Sequence, residues 1–166
     1  MNRLFTLTIA VLFCLGAIGQ MPASTQRALE NLVGSTWVGN GAWSDGKKFH
    51  QEITIEKSLD GKIFIVKTNG NVSTEGDSQG QRSHGVRAWD SKLGATKFWE
   101  FDVFGGITEG TVVVEGNDIF YIYEYEGEIL TDAWIYKNEN TYEFIVGIRL
   151  GDEWGDVYCN GGFRRN

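Results

Sequence analysis

From Ser35 onward, apolar and polar residues alternate with a period of two, and Gly, Asn or Asp interrupts the alternation about every eight to twelve positions. A period of two marks a strand with one buried face, and the interrupting residues tolerate the positive φ that tight hairpins on twisted strands require. The pattern predicts strands over 35–44, 47–57, 62–69, 83–90, 95–104, 107–115, 119–125, 129–137, 141–150 and 156–164. Hairpin turns fall at Asp45-Gly46, Asp60-Gly61, Gly105-Gly106, Gly116-Asn117, Glu126-Gly127 and Asn138-Glu139-Asn140. The stretch 69–82 differs: it is long, rich in Gly, Ser and Gln, and reads as a flap or an extended surface loop. Ahead of the strands, Ser24 is placed as an N-cap, and Ala28, Leu29, Leu32 and Val33 recur at helical spacing until Gly34 ends the pattern. Residues 20–34 are therefore a short helical lead-in.

Successive antiparallel strands joined by short turns leave two bare edges in an open sheet, and closing the sheet on itself removes them. The expected fold is all-β: an antiparallel up-and-down meander barrel of about ten strands over 35–166, with a short N-terminal helix. Glycines inside strands fit this closure, since Gly39, Gly41, Gly161 and Gly162 sit where tight curvature or close backbone approach is needed.

The first residues carry a different pattern. Met1-Asn2-Arg3 supplies a positive start, Leu4 to Leu15 is apolar apart from Thr6 and Thr8, and Ala17-Ile18-Gly19 offers small residues for a signal peptidase. Residues 1–19 read as a signal peptide, so the protein is expected to be secreted or periplasmic. The apolar run is too short to span a membrane, which takes about 20 residues. Leu12-Phe13 precede Cys14 where a lipoprotein signal wants small residues, so lipidation is not expected. Cleavage would leave Cys159 as the single thiol, with no intrachain disulfide available and burial in a terminal strand the favoured placement.

The formal net charge of −7 becomes more negative once Arg3 is removed. This balance argues against nucleic acid and anionic membrane surfaces as partners, because both need clustered Lys and Arg. With six Trp, six Tyr and ten Phe, the chain has more ring bulk than hairpins alone require. The rings are either core or the wall of a cavity, and a barrel of about ten strands is wide enough to hold both.

Alternation assigns faces. In 95–104, Trp99, Phe101 and Val103 share one face, taken as the inside, with Glu100 and Asp102 outside. Arg87 shares a face with Trp89, where its fork of donors would match an anionic head group unless an interior acid such as Glu124 pairs with it. In 119–125 either face could be inside: Tyr121, Tyr123 and Tyr125 would offer hydroxyls to a ligand, or would form an exposed ridge suited to a protein contact.

Gly34, Trp37, Gly39 and Gly41 form a Gly-x-x-Trp-x-Gly-x-Gly start behind the helix, and the last strand closes on Phe163-Arg164-Arg165. In these features the chain resembles the lipocalin-like, or calycin, barrels, and in particular the uncharacterised bacterial secreted lipocalin-like domains. The resemblance implies that Trp37 packs across the closed end of the barrel as a floor beneath a ligand cavity. Haem-binding barrels of the nitrobindin type share the start but ligate iron through a late histidine, which Asp156 to Gly162 lacks. No cofactor is expected. The Arg-x-Tyr pair with which fatty-acid-binding proteins hold a carboxylate is also missing, although Arg149 and Tyr158 lie on neighbouring strands and could converge.

No nucleophile elbow, metal-ligand spacing or paired interior carboxylates emerge, so no catalytic residue and no metal site are expected. The expected function is a non-enzymatic barrel binding a small hydrophobic or amphipathic molecule, with Arg87, Trp89, Trp99, Phe101, Tyr123, Trp134, Arg149 and Tyr158 around it. Two alternatives stand beside it. One is a module for a protein partner, using loop 69–82 and exposed tyrosines. The other is a barrel enzyme, which a buried acid or histidine touching the cavity would favour.

Overall fold

A computed structural model describes residues 19–74 and 76–166. The expected signal peptide, residues 1–19, lies outside the described residues except for Gly19. One helix, α1 (Ala23–Glu30), precedes ten strands: β1 (Thr36–Trp43), β2 (Lys48–Ser58), β3 (Ile63–Asn71), β4 (Gln79–Asp90), β5 (Ala95–Asp102), β6 (Ile107–Glu115), β7 (Asp118–Tyr125), β8 (Glu128–Asn138), β9 (Thr141–Leu150) and β10 (Glu153–Arg165). Each strand pairs antiparallel with its neighbours in sequence, and β1 pairs with β10 to close the barrel. The ten expected strands are all present. Closure leaves no ladder edge free for another chain.

Two local expectations change. The connection read as 69–82 is mostly ladder, since β3 and β4 pair out to Asn71 and Gln79, and only 72–78 remains outside the strands. Polar strand ends look like loop in sequence because a hairpin that stands clear of the core has no apolar face to alternate. The helix also starts one residue before Ser24: Pro22 occupies the N-cap position with φ −53° and no side chain caps the first turn. Gly34, at φ +77°, then ends the helical stretch as expected.

Helix α1 lies across one end of the barrel. Ala28, Leu29 and the following Leu32 are buried in the same cluster as Trp37, Phe64, Ile119, Trp134, Tyr142 and Phe163. Lys57 on β2 reaches Glu30 at 2.7 Å, and the Arg165 guanidinium lies 4.9 Å from the centre of the Trp37 ring. The opposite end, where the β1–β2, β3–β4, β5–β6, β7–β8 and β9–β10 turns gather, has no such cover in the described residues.

Candidate functional site

The floor is built first, by Trp37. Its side chain is fully buried and its indole Nε1–H donates to the Leu32 carbonyl at 3.0 Å, which ties the strand to the turn that follows α1. Trp134 meets Trp37 edge-on at 6.2 Å and stacks on Phe163 at 4.3 Å with the planes 8° apart. The stack depends on Gly39, because a Cβ there would overlap the Phe163 ring. The glycine that marks the family-like start is thus a recess for an aromatic ring.

Above the floor lies a polar chamber of about 230 Å³, continuous with an open mouth of about 840 Å³ through shared lining residues that include Gln51, Arg82, Tyr123 and Asp132. The chamber centres on Arg87. Its Nη1 donates to Glu100 Oε2 at 2.8 Å, and Ser83 Oγ donates to the other carboxylate oxygen at 2.6 Å. The guanidinium also sits 4.9 Å from the Tyr121 ring centre and 5.5 Å from that of Phe98. Gly85 makes this pair possible, since a Cβ at that position would collide with both the Glu100 carboxylate and the Arg87 guanidinium. Arg87 Nε is buried without a hydrogen-bond partner among the described residues.

Asp132 on β8 faces the same space. Tyr123 donates its hydroxyl to Asp132 Oδ1 at 2.8 Å. Burial pushes the Asp132 carboxyl up to about 6, against the lowering effect of that hydrogen bond. Tyr123 is itself raised, first by burial and then by the Asp132 charge. Cys159 is buried nearby on β10, and burial pushes its thiol up to about 11. A thiol held protonated in this way is a packing group and not a nucleophile at neutral pH.

The mouth carries rings and acids. Trp43, Phe49, Phe144 and Tyr158 line it with Tyr125, Glu126 and Glu128 at the rim. Phe49 meets Phe144 edge-on at 5.8 Å, and Tyr158 donates to Glu128 at 3.1 Å.

The structure separates the eight residues expected around a ligand. Arg87, Tyr123, Trp134 and Tyr158 line the interior. Arg87 has Glu100 as its acid, and Glu124 is exposed. Trp99 and Phe101 are on the outer face: the Trp99 indole bonds Glu109 at 3.1 Å and Phe101 is exposed, while Phe98, Glu100 and Asp102 point in. The reversal follows from an interior that holds an ion pair, which defeats the rule that the more apolar face is the inner one. Trp89 lies against Gly19 and lines neither chamber nor mouth.

Arg149 lies outside, stacked 3.9 Å over the Phe120 ring and paired with Glu115 at 2.7 Å, so it does not meet Tyr158. Tyr158 turns inward because the register slips between Val157 and Cys159, where β10 carries one more residue than β9. Tyr121 and Tyr123 also face inward and only Tyr125 reaches the rim, so the exposed tyrosine ridge does not form.

Sequence reasoning missed Ser83, Glu100 and Asp132. A glycine two residues before an arginine in a strand was the available signal for the first pair. Asp132 carried none, since only the barrel brings it to Tyr123. Among the described residues no group of His, Cys, Asp or Glu is placed to hold a metal ion, and no helix is long and apolar enough to cross a membrane.

No protein-family model and no curated protein matches the sequence. Solved structures do match. The S-type phycobiliprotein lyase from Guillardia theta is 14% identical over 89% of this chain and 94% of that one, with a TM-score of 0.50. A mutant of the fluorescent protein UnaG is 18% identical over 82% of this chain and 97% of that one, with a TM-score of 0.49. A redesigned β-barrel is 13% identical over 84% and 96%, with a TM-score of 0.46. The likeness to the lyase shows the fold alone, which in this chain is a closed barrel of ten antiparallel strands.

Proposed function

We propose that this protein is an exported carrier or sensor that holds a small amphipathic molecule inside its barrel. One observation carries the reading: an open cavity of about 840 Å³ stands over a closed, fully packed floor. That volume falls within the roughly 300–1,000 Å³ typical of small-molecule sites, and the walls combine rings with a few fixed polar groups as such sites do. The polar chamber beneath the mouth orients the ligand, taking its polar end while the rings take its body. Export rests on the charged, apolar and small-residue order of 1–19.

Native mass spectrometry of protein isolated from its own host tests the reading. A bound small molecule, or uptake of an environment-sensitive hydrophobic dye by the emptied protein, is the expected result. Neither bound molecule nor dye uptake would remove the proposal.

Asp132 favours a second reading, a barrel enzyme, because a carboxyl raised to about 6 beside a cavity is suited to proton transfer near neutral pH. The two readings part on the ligand recovered after incubation. An enzyme returns it altered in mass or isomeric form, and Asp132→Asn stops the change; a carrier returns it intact.

A further inference from the structure

Charge on the cavity wall narrows the ligand. The lining holds Arg82 and Arg87 against Glu100, Asp102, Asp132, Glu126 and Glu128. Arg87 is neutralised by Glu100 at 2.8 Å. Arg82 donates to the Asn71 carbonyl at 2.7 Å and lies over the Phe104 ring. Asp102 is occupied by the backbone N–H groups of Phe104 and Gly106, each at 2.8 Å. Arg87 is thus compensated by Glu100, with only its Nε unpartnered, and Arg82 is the one guanidinium of the lining with no ion-pair partner among the described residues.

Asp132, Glu126 and Glu128 also have no ion-pair partner among the described residues, so uncompensated acids outnumber Arg82 on the wall of the mouth. Asp132 accepts one hydrogen bond, from Tyr123, where a carboxylate has room for about four. It sits below a ring wall of Phe49, Phe144 and Tyr123. Ring faces attract cations and repel carboxylates, and desolvation in a cavity strengthens both effects. The net charge of −7 also steers cations toward the protein and anions away.

We infer that the cavity selects a cationic amphiphile, an organic ammonium with an apolar body whose charge lies between Asp132 and the surrounding rings. The inference rests on the carrier reading above and specifies its ligand class. It reverses the expectation that Arg87 awaits an anion.

The pH dependence follows from the groups around Asp132. Tyr123 and Tyr121 face it from β7, Val146 opposes it on β9, and the charges of Arg87 on β4 and Glu100 on β5 act on it, with the neutral Cys159 on β10. Without a ligand its carboxyl is raised to about 6, so it is mostly protonated at pH 5 and ionised at pH 7. A cation binds the ionised form, and binding below pH 6 must release a proton.

Calorimetric titration of the full protein with decylamine, decanol and decanoate provides the test, because the three probes share one chain and differ in head group. Decylamine is expected to bind most tightly and decanoate least. Decylamine affinity should rise about tenfold from pH 5 to pH 7, and decanol affinity should stay level. Asp132→Asn should remove decylamine's advantage over decanol together with its pH slope. Decanol or decanoate binding as tightly as decylamine would overturn the cation inference and leave the carrier reading in place. Binding of none of the three would overturn both. Should the variant fail to fold, the pH series on the unaltered protein decides: a level decylamine affinity overturns the inference.

Discussion

The two ends of this barrel are made of the same kinds of residue and behave in opposite ways. At the closed end Trp37, Trp134, Tyr142 and Phe163 touch ring to ring, and each is buried. At the open end Trp43, Phe49, Tyr125 and Tyr158 ring a space of about 840 Å³, and Trp43 is 42% exposed. Cover makes the difference. Helix α1 and the turn after it bring Ala28, Leu29 and Leu32 onto one end, while the turns at the other bring acids and glycines. A ring count therefore measures how much apolar surface a barrel has, and only its end pieces determine whether that surface becomes core or pocket.

The sharpest way to break this contrast is at the floor. Trp37→Ala should cost about 4 kcal/mol in denaturant unfolding, because it leaves a void under the helix and removes the bond to Leu32. A cost below about 1 kcal/mol would mean that the two ends do not differ in packing. Arg87→Met, at the boundary between the two regions, should cost about 3 kcal/mol by leaving Glu100 charged and unpaired. Pairing it with Glu100→Gln should recover part of that loss; a double variant as unstable as the single one would assign the effect to packing alone.

A smaller effect belongs to Asp132. The folded protein keeps a proton on this carboxyl up to about pH 6, whereas the unfolded chain releases it near 4, so the group favours folding fully below about 4 and loses that contribution as pH rises through 6. Asp132→Asn should consequently stabilise the protein by about 1 kcal/mol at pH 7, allowing for water in the cavity, and by nothing at pH 4. Chemical denaturation at the two pH values measures the difference, and a gain equal at both would place the acid in bulk solvent. The smallest change is expected at the rim. Trp43→Ala should alter stability by less than about 1 kcal/mol while weakening dye uptake several-fold, the reverse of Trp37→Ala.

Legibility followed the same division. Strand number, order and nearly every turn could be read from period and turn chemistry, since both are local. Trp37 as floor was legible through resemblance, and the inward Arg87 through alternation with Trp89. The site was legible only in part. In β5 the larger apolar set, Trp99 and Phe101, faces out because Glu100 is needed inside to meet Arg87, a requirement set by a different strand. Tyr158 escaped any parity argument because a bulge in β10 turns it. The stretch 69–82 looked like loop because its ladder bonds are backbone groups, which carry no side-chain signature.

The sequence by itself determined a closed all-β barrel, the helix that covers one end and an acidic overall charge, because turn conformation, strand period and composition act over a few neighbouring residues. Only the tertiary structure decided which rings became floor and which became wall, that Arg87 pairs with Glu100, and that Asp132 stands with Tyr123 beside an open cavity. Those outcomes depend on which strands face each other across the barrel, and the distance between Glu100 and Arg87, or between Trp37 and Trp134, exists only once β10 has closed on β1.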